Sequence, residues 1–352
     1  MDKALKLLTK KKEQLSKLRP FAKNVVKELE SWLRVELTYS SNAIEGNTLT
    51  RLETAEILEK GTGAVISGRP LKDQLEAVNH AKALDFIKRL VGQKKSHQFI
   101  TERDIKDIHK IILTGIDDQW AGKYRQTEVF IKGADVEFPS RHKVPYLMAE
   151  FTAWLEGQQD GHPVRVAADA HFKFVSVHPF IDGNGRTARL LMNLVLIINS
   201  YPMAVIRNED RIKYLQAVNK GQKENDLNSF YKIVEEAVDR SLNAYINAAK
   251  GKSPLASLTR GIKLDKKTVS KLLKIGGLAK KINETVPTIR YWTKEGLLEV
   301  ADYTKGGYQL YDQSMIKRTK KIRQLQEEKR LSIAEIKKEL EKLNQKQRAG
   351  KR

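Results

Sequence analysis

Twelve consecutive residues, His178 to Arg189, combine the side chains that phosphate chemistry requires. The run is HPFIDGNGRTAR, and it leads directly into the apolar segment LLMNLVLII. His178 can remove a proton near neutral pH, and Asp182 offers a hard carboxylate oxygen of the kind that Mg²⁺ prefers when it bridges a protein to phosphates. The run therefore predicts nucleotidyl or phosphoryl transfer to a hydroxyl group.

The second half of the run predicts an anion site. Gly183 and Gly185 flank Asn184 at the expected start of a helix, where free main-chain N–H groups and the helix dipole favour an anion. Arg186 and Arg189 are three positions apart, so they share a face at that terminus and can bind a polyphosphate. Each residue alone also fits an ordinary turn or a solvated face. The convergence of all of them is what favours a site.

The elements expected around this run are helices. Hydrophobic periodicity is helical from Lys3 to Lys250, with caps and breakers at short intervals. Thr50 and Thr101 are predicted helix caps, and the helix that leads into the run is predicted to begin near Pro163. We therefore expect a mostly α fold in which the polar run joins two helices.

Two segments have the composition of β-strands. Residues 127–138, TEVFIKGADVEF, place β-branched and aromatic residues around a glycine, which predicts a β-hairpin. The second segment lies near residues 297–311. The pattern alone does not separate a functional hairpin from an ordinary surface hairpin.

The run from His178 to Arg189 resembles the Fic family signature, His-x-Phe-x-acid-Gly-Asn-Gly-Arg-x-x-Arg, at every fixed position. The resemblance implies transfer of AMP from ATP to a Ser, Thr or Tyr hydroxyl of a target protein, or of the enzyme itself, on a helical domain with a β-hairpin flap. It implies His178 as general base, Asp182 as the Mg²⁺ ligand and Phe180 as the anchor of the loop. The phosphates would be held by Gly183, Asn184, Gly185, Arg186 and Arg189.

A second motif resembles the inhibitory segment of many Fic proteins, Ser/Thr-x-x-x-Glu-Gly/Asn. The segment SSNAIEGN places Ser41, Glu45 and Gly46 at the fixed positions, after a predicted helix near Leu33. The resemblance implies that Glu45 pairs with Arg189 and so removes a partner of the outer phosphate. A solvated glutamate beside a helix-ending glycine is the alternative interpretation. Because some relatives use this glutamate to remove AMP, the reverse reaction also stays open.

Composition narrows the class of protein. The chain has 352 residues, 40% of them hydrophobic, and no cysteine, which excludes disulfides, thiol nucleophiles and zinc–thiolate sites. No apolar run approaches the ~20 residues that span a bilayer, and the N-terminus lacks a secretory pattern, so we expect a cytoplasmic protein with no membrane partner. The expected regions are a helical region at 1–95 with the inhibitory motif, the catalytic core and its extension at 96–250, a linker at 251–261, and a further domain at 262–352.

Positive charge is concentrated in that last domain. The net charge is +22 for the whole chain, +15 for residues 251–352 and +7 for residues 1–250. Residues 275–298 have the spacing of a helix-turn-helix, and the following segment has glycines suited to a wing. A basic segment of this kind favours double-stranded DNA as partner, although a winged helix can also dock a protein.

The order of these elements resembles the DNA-binding domain of the MerR family. The elements Arg-Tyr-Trp at 290–292 and Gly-Leu-Leu at 296–298 match that family, and Trp292 could belong to the core rather than to a contact. No effector-binding segment of the MerR kind is recognisable. The residues predicted to contact DNA are Thr288, Arg290, Tyr291, Lys294 and Lys305, with Tyr308 beside them.

The sequence therefore predicts an adenylyltransferase that uses ATP and Mg²⁺, is inhibited by Glu45, and is fused to a winged helix-turn-helix. One alternative is a Fic variant that removes AMP or transfers phosphate. Another is a DNA-binding regulator whose Fic domain senses a nucleotide, although a sensor has no need of a base such as His178. A homodimer also stays open, because Glu45 could act within its own chain or across a dimer. No motif identifies the target protein.

Overall fold

The computed structural model describes residues 2–21, 23–60, 66–94, 96–129, 136–250, 272–295, 297–298, 302–303, 309–327, 331, 333, 335–337 and 339–340. The chain divides into two compact units, Met1–Gly261 and Ile262–Arg352. The predicted linker at 251–261 and the predicted hairpin turn at 130–135 lie outside the described residues.

The described part of the first unit is built from ten α-helices. They are α1 Lys3–Lys17, α2 Lys23–Ile44, α3 Arg51–Lys60, α4 Leu71–Gln93, α5 Glu102–Leu113, α6 Val144–Glu156, α7 Pro163–Val177, α8 Asn184–Ile198, α9 Arg211–Glu224 and α10 Asn228–Ala249. Short 3₁₀ turns occupy His97–Phe99, Arg141–Lys143 and Asn208–Asp210. Within the described ranges, no helix is both long and apolar enough to span a bilayer.

Local capping signals account for several helix starts. Thr101 and Asp104 form a reciprocal capping box at α5. Thr50 and Glu53 do the same before α3, with the Thr50 amide 2.8 Å from a Glu53 carboxylate oxygen. Pro163 occupies the first turn of α7, where its missing N–H costs nothing. These predicted caps are confirmed.

The core surrounds α7 and α8, which pack along each other. Helix α8 also contacts α2, α4 and α5, so its N-terminus lies where several helices meet. Side chains on both central helices are fully buried, among them Phe174, Leu191 and Leu194. This packing fixes the α7–α8 junction, which is the polar run from His178 to Arg189, on a rigid support.

The inhibitory segment lies differently from our expectation. We expect the motif to follow the helix near Leu33, but this helix, α2, continues to Ile44, so Ser41 lies in its last turn. The extension is explained by burial, since Leu33, Leu37 and Ile44 all pack into the core. Only residues 45–50, which we call the brake loop, connect α2 to α3.

The second unit has the elements expected of a winged helix-turn-helix. They are β1 Leu273–Lys274, α11 Ile275–Ile282, α12 Val286–Lys294, β2 Asp302–Tyr303, β3 Gln309–Tyr311 and α13 Ser314–Glu327. The strands form an antiparallel sheet in the order β1-β3-β2. Trp292 is 1% exposed and therefore belongs to the core of this unit. The mostly α fold class is confirmed.

The segment predicted to form the flap hairpin is described only at its two sides. Residues 127–129 and 136–138 carry no strand assignment. Arg125 nevertheless holds the two sides near each other, because its guanidinium donates to the carbonyls of Thr127 and Pro139.

Removing the α5 cap tests the capping analysis. Thr101→Ala should lower the free energy of unfolding by about 1 kcal/mol, because the Asp104 amide loses its acceptor. Urea unfolding followed by circular dichroism measures the change. Thr152→Ala is the matched control, since that hydroxyl donates to carbonyls within its own helix. An equal effect of both substitutions would contradict the assignment.

Candidate active site

The α7–α8 junction is held by a buried arginine. His178 ends α7 in a left-handed conformation, with φ +50°, and this reverses the chain at once. The Arg125 amide donates to the carbonyl of Pro179, and Arg125 Nε donates to the carbonyl of His178, both at 2.9 Å. Arg125 is 2% exposed. The sequence alone does not identify Arg125 as a support of this loop.

The buried side chains of Phe180 and Asn184 stabilise the loop between α7 and α8. The Asn184 side chain accepts from the Phe180 amide at 3.0 Å and donates to the Phe180 carbonyl at 2.8 Å. The Phe180 ring is fully buried and stacks on His109 at a centroid distance of 3.5 Å. Phe180 is thus confirmed as the anchor. The oxygen and the nitrogen of the Asn184 side chain thus both hold the loop.

His109 is a second loop support that the sequence did not reveal. The Gly122 amide donates to His109 Nδ1 at 3.0 Å, so the proton lies on Nε2, which donates to the Asp182 carbonyl at 2.9 Å. Burial lowers the pKa of His109 to about 4, and the ring stays neutral at pH 7. In the sequence, His109 lies within an ordinary amphipathic helix and has no distinguishing signal.

His178 presents a neutral imidazole at the site. Burial lowers its pKa to about 4, and the Arg125 charge acts in the same direction, although Val175, Glu45 and Asp182 partly oppose them. The ring lies 4.4 Å, centroid to centroid, from the ring of Phe138. A neutral imidazole can accept a proton, which is what a general base requires.

The N-terminus of α8 is occupied by a carboxylate. Gly183 takes φ +77° at the N-cap, and the first amides of the helix have no partner within it. A β-carbon added to Gly185 would lie 2.2 Å from Glu45 Oε1. The Glu45 carboxylate therefore rests against Gly185, at the position where the helix favours an anion.

Arg189 is bound on three sides by protein groups. Its Nη2 donates to Glu45 Oε1 at 2.7 Å and to the Ser41 carbonyl at 2.8 Å, and its Nε donates to the Ser41 hydroxyl at 3.0 Å. Nη1 donates to the Tyr214 hydroxyl at 3.3 Å, and that hydroxyl is hydrogen-bonded to His171 Nε2 at 2.8 Å. Burial is the largest single influence and disfavours the charged form of Arg189, but the charges of Glu45 and Tyr214 and the hydrogen bonds to both side chains together outweigh it and raise the pKa of Arg189.

Arg186 lies beside Arg189 with spare hydrogen-bonding capacity. It is 2% exposed, and its Nη2 donates to Asp182 Oδ1 at 3.2 Å. Nη1 lies 2.9 Å from Glu76 Oε1, but its N–H groups and that of Nε are not directed at any acceptor. A buried guanidinium with unused donors is suited to a phosphate ligand.

Asp182 fits the role of a magnesium ligand. Burial would raise its pKa, but the charge of Arg186 and the Gly183 amide lower it below the ordinary value, so the carboxylate is ionised. Its side chain is about half exposed and faces Lys72 at 3.9 Å. No group of three or more metal-ligating side chains occurs among the described residues. A single carboxylate is compatible with Mg²⁺ that takes its other ligands from phosphates and water.

The candidate DNA-contact residues lie in the second unit and are only partly described. Arg290 and Tyr291 are exposed on α12, and Thr288 is half-buried in the same helix, whose N-cap is Thr285. The side chain of Lys294 and all of Lys305 and Tyr308 lie outside the described residues.

The sequence and fold match known families. The profile of the Fic/DOC family matches residues 99–196, and that of the MerR HTH family regulatory protein matches residues 273–343. A Fic domain-containing signalling protein from Bacteroides thetaiotaomicron has 31% identity and a TM-score of 0.64, over 71% of this chain and 98% of that chain. Fic-1 from C. elegans has 30% identity and a TM-score of 0.64, over 71% of this chain and 72% of that one.

A curated relative agrees with these matches. The protein adenylyltransferase Fic of Culex quinquefasciatus is 34% identical over 250 residues, or 70% of this chain and 48% of that protein. This chain thus spans about half the length of the curated relatives it matches. With the fold, the motif and these likenesses together, the chain belongs to the Fic/DOC family.

Three buried histidines make the fold sensitive to acid. Burial lowers the pKa of His80 and His171 to about 3, and that of His109 to about 4. Below the unfolded value of about 6.5, the unfolded chain binds protons that the folded chain does not. Stability should therefore fall as pH falls from about 6.5 toward 4, by on the order of 1–2 kcal/mol per histidine at pH 5.

Urea unfolding at pH 7 and pH 5 measures this loss. His171→Phe, which keeps an aromatic ring beside Phe230, should reduce the pH dependence by about one histidine's share. The exposed His142, replaced by glutamine, is the control. Equal free energies of unfolding at pH 7 and pH 5 would show that these histidines are not neutral in the folded protein.

Proposed function

We propose that this protein transfers AMP from ATP to a hydroxyl group of a protein and that Glu45 inhibits the transfer. The observation that carries the proposal is the Glu45 carboxylate resting against Gly185 and paired with Arg189. An anion-binding helix terminus filled by the protein's own carboxylate is a phosphate site held in an inhibited state. The curated relatives named protein adenylyltransferase Fic support the reaction type.

The proposed reaction uses His178 as the base. The neutral ring takes the proton of a Ser, Thr or Tyr hydroxyl, and the hydroxyl oxygen forms a bond to the α-phosphorus of ATP. The bond from the α-phosphorus to the bridging oxygen breaks, and pyrophosphate leaves. Mg²⁺ bound by Asp182 would neutralise charge on the phosphates. The amides at Gly183, Asn184 and Gly185 with Arg186 and Arg189 would hold the phosphates in line.

The proposed inhibition is a competition between two anions for one site. While Glu45 pairs with Arg189, an outer phosphate lacks that partner, and ATP binds with its α-phosphorus out of line. Removal of Glu45 should not release the arginine, because Ser41 and Tyr214 still hold it. The site would therefore remain preorganised for the phosphate once the carboxylate is gone.

Labelled ATP tests the reaction and the inhibition together. Wild type, Glu45→Gly and His178→Ala are incubated with Mg²⁺ and ATP labelled at the α- or the γ-phosphorus, and protein-bound label is followed, including self-modification. We expect label only from the α position, about 100-fold stronger in Glu45→Gly and about 10²–10⁴-fold weaker when His178→Ala is added to that variant.

Two controls make this experiment decisive. Glu45→Gln keeps the size of the side chain and should also activate, whereas Glu59→Gln, on an exposed position of α3, should not. Label from the γ position would identify phosphorylation. Absence of label in every variant would leave AMP removal or nucleotide sensing, and would refute the proposal.

We also propose that the second unit binds double-stranded DNA through α12. The match to the MerR helix-turn-helix profile, the +15 charge of residues 251–352 and the exposed Arg290 and Tyr291 support this. Phosphate contacts would come from Lys294 and Lys305, and base contacts from Thr288 and Arg290.

Gel-shift titration of the full chain with duplex DNA tests this second function. Affinity should fall steeply with salt concentration, and Arg290→Ala should weaken it about tenfold. Arg103→Ala is the control, since Arg103 is an exposed arginine of the first unit. No binding at low salt, or equal affinities of the two variants, would rule out DNA recognition by α12.

A further inference from the structure

One buried carboxylate contacts both the catalytic motif and the brake loop. Glu76 lies in α4 and is 7% exposed. Its Oε1 lies 2.9 Å from Arg186 Nη1, and its Oε2 accepts from Asn47 Nδ2 at 2.8 Å. Asn47 lies two residues after Glu45, so the two oxygens of Glu76 join the brake loop to the phosphate site.

The brake loop has further attachments to the start of α4. Asn47 Nδ2 also donates to the carbonyl of Asp73 at 2.9 Å. The amide and the hydroxyl of Thr48 donate to the Asp73 carboxylate at 2.7 and 2.5 Å. These contacts do not involve Arg189. The position of Glu45 thus depends on bonds made at residues 47 and 48 as well as on its own ion pair.

Glu76 also supplies a negative charge beside the buried guanidinium of Arg186. The arginine is buried, and a buried unpaired charge is strongly unfavourable. Asp182 supplies one contact, but its side chain is half exposed. The carboxylate of Glu76 is the buried countercharge, with Oε1 2.9 Å from Arg186 Nη1.

We propose that Glu76 is a positioning residue that holds Arg186 for the phosphates and, through Asn47, couples the occupancy of that site to the brake loop. This inference rests on the proposed function of the same site. A phosphate that shares Arg186 with Glu76 changes the charge at the anchor of Asn47, and a loosened brake loop in turn favours the nucleotide. Such coupling is reciprocal by thermodynamic necessity.

Asn47→Ala tests the coupling without altering Glu45 or any residue assigned to ATP. The full chain is prepared with Asn47→Ala, with Glu45→Gly, and with both. Equilibrium dialysis with labelled ATP and Mg²⁺ measures affinity, and labelling from the α position measures transfer. When Glu45 is present, Asn47→Ala should strengthen ATP binding about fivefold, because the charge-assisted bond to Glu76 is lost. In the Glu45→Gly chain it should change binding less than about twofold.

A purely structural role for Asn47 gives a different result. Asn79→Ala is the matched control, because the Asn79 amide likewise donates two hydrogen bonds, both of them to carbonyls outside the brake loop. Its effect should be the same with and without Glu45. If Asn47→Ala also acts equally in both backgrounds, or has no effect in either, the coupling is refuted. Because affinity is measured directly, coupling without AMP transfer would refute only the proposed reaction.

Glu76→Gln, placed in the Glu45→Gly chain, tests the positioning of Arg186. The amide keeps the volume but removes the countercharge, so the KM and Kd for ATP should rise about tenfold, while kcat stays within about threefold. A loss in kcat at unchanged KM, or no change in either, would overturn this role. If this variant does not fold, the Asn47 comparison still decides the coupling.

Discussion

The Glu45 carboxylate at the N-terminus of α8 is the interaction on which the rest of the site depends. The guanidinium of Arg189 and the positive end of the α8 dipole both lie beside this single negative charge. A β-carbon at position 185 would lie 2.2 Å from Glu45 Oε1, so a larger residue there would force the carboxylate to shift. Glu45 directly follows the long α2, which ends at Ile44. The buried α7–α8 pair fixes the position of the α8 N-terminus beside it.

The pairing of charged groups around the site is explained by the free-energy cost of burying an unpaired charge. Arg189 is balanced by Glu45, and Arg186 by Glu76 and Asp182. Buried histidines carry no charge at neutral pH, because burial lowers their pKa. The proposed phosphate site is therefore already neutralised by the protein's own carboxylates. In the proposed competition a nucleotide displaces only the Glu45 carboxylate from Arg189, so inhibition and ATP binding would be two sides of one equilibrium.

How far the sequence predicts the structure depends on whether a signal is local. Helix caps at Thr50 and Thr101, the helical class and the motif at 178–189 are short-range patterns, and they were predictable. The end of α2 was not, because burial of Leu37 and Ile44 extends it. Arg125, His109 and Glu76 act on the site from other helices or loops. Their contacts form only when the chain folds, so no spacing along the sequence marks them.

The central claim is that Glu45 stands in the place of a phosphate. A crystal structure of the Glu45→Gly chain with a non-hydrolysable ATP analogue and Mg²⁺ tests it most directly. We predict a phosphate group against Gly185, within hydrogen-bonding distance of Arg189 Nη2, with Ser41 and Tyr214 still holding the arginine. A nucleotide bound with no phosphate at that helix terminus, or an Arg189 that turns away from it, would contradict the account.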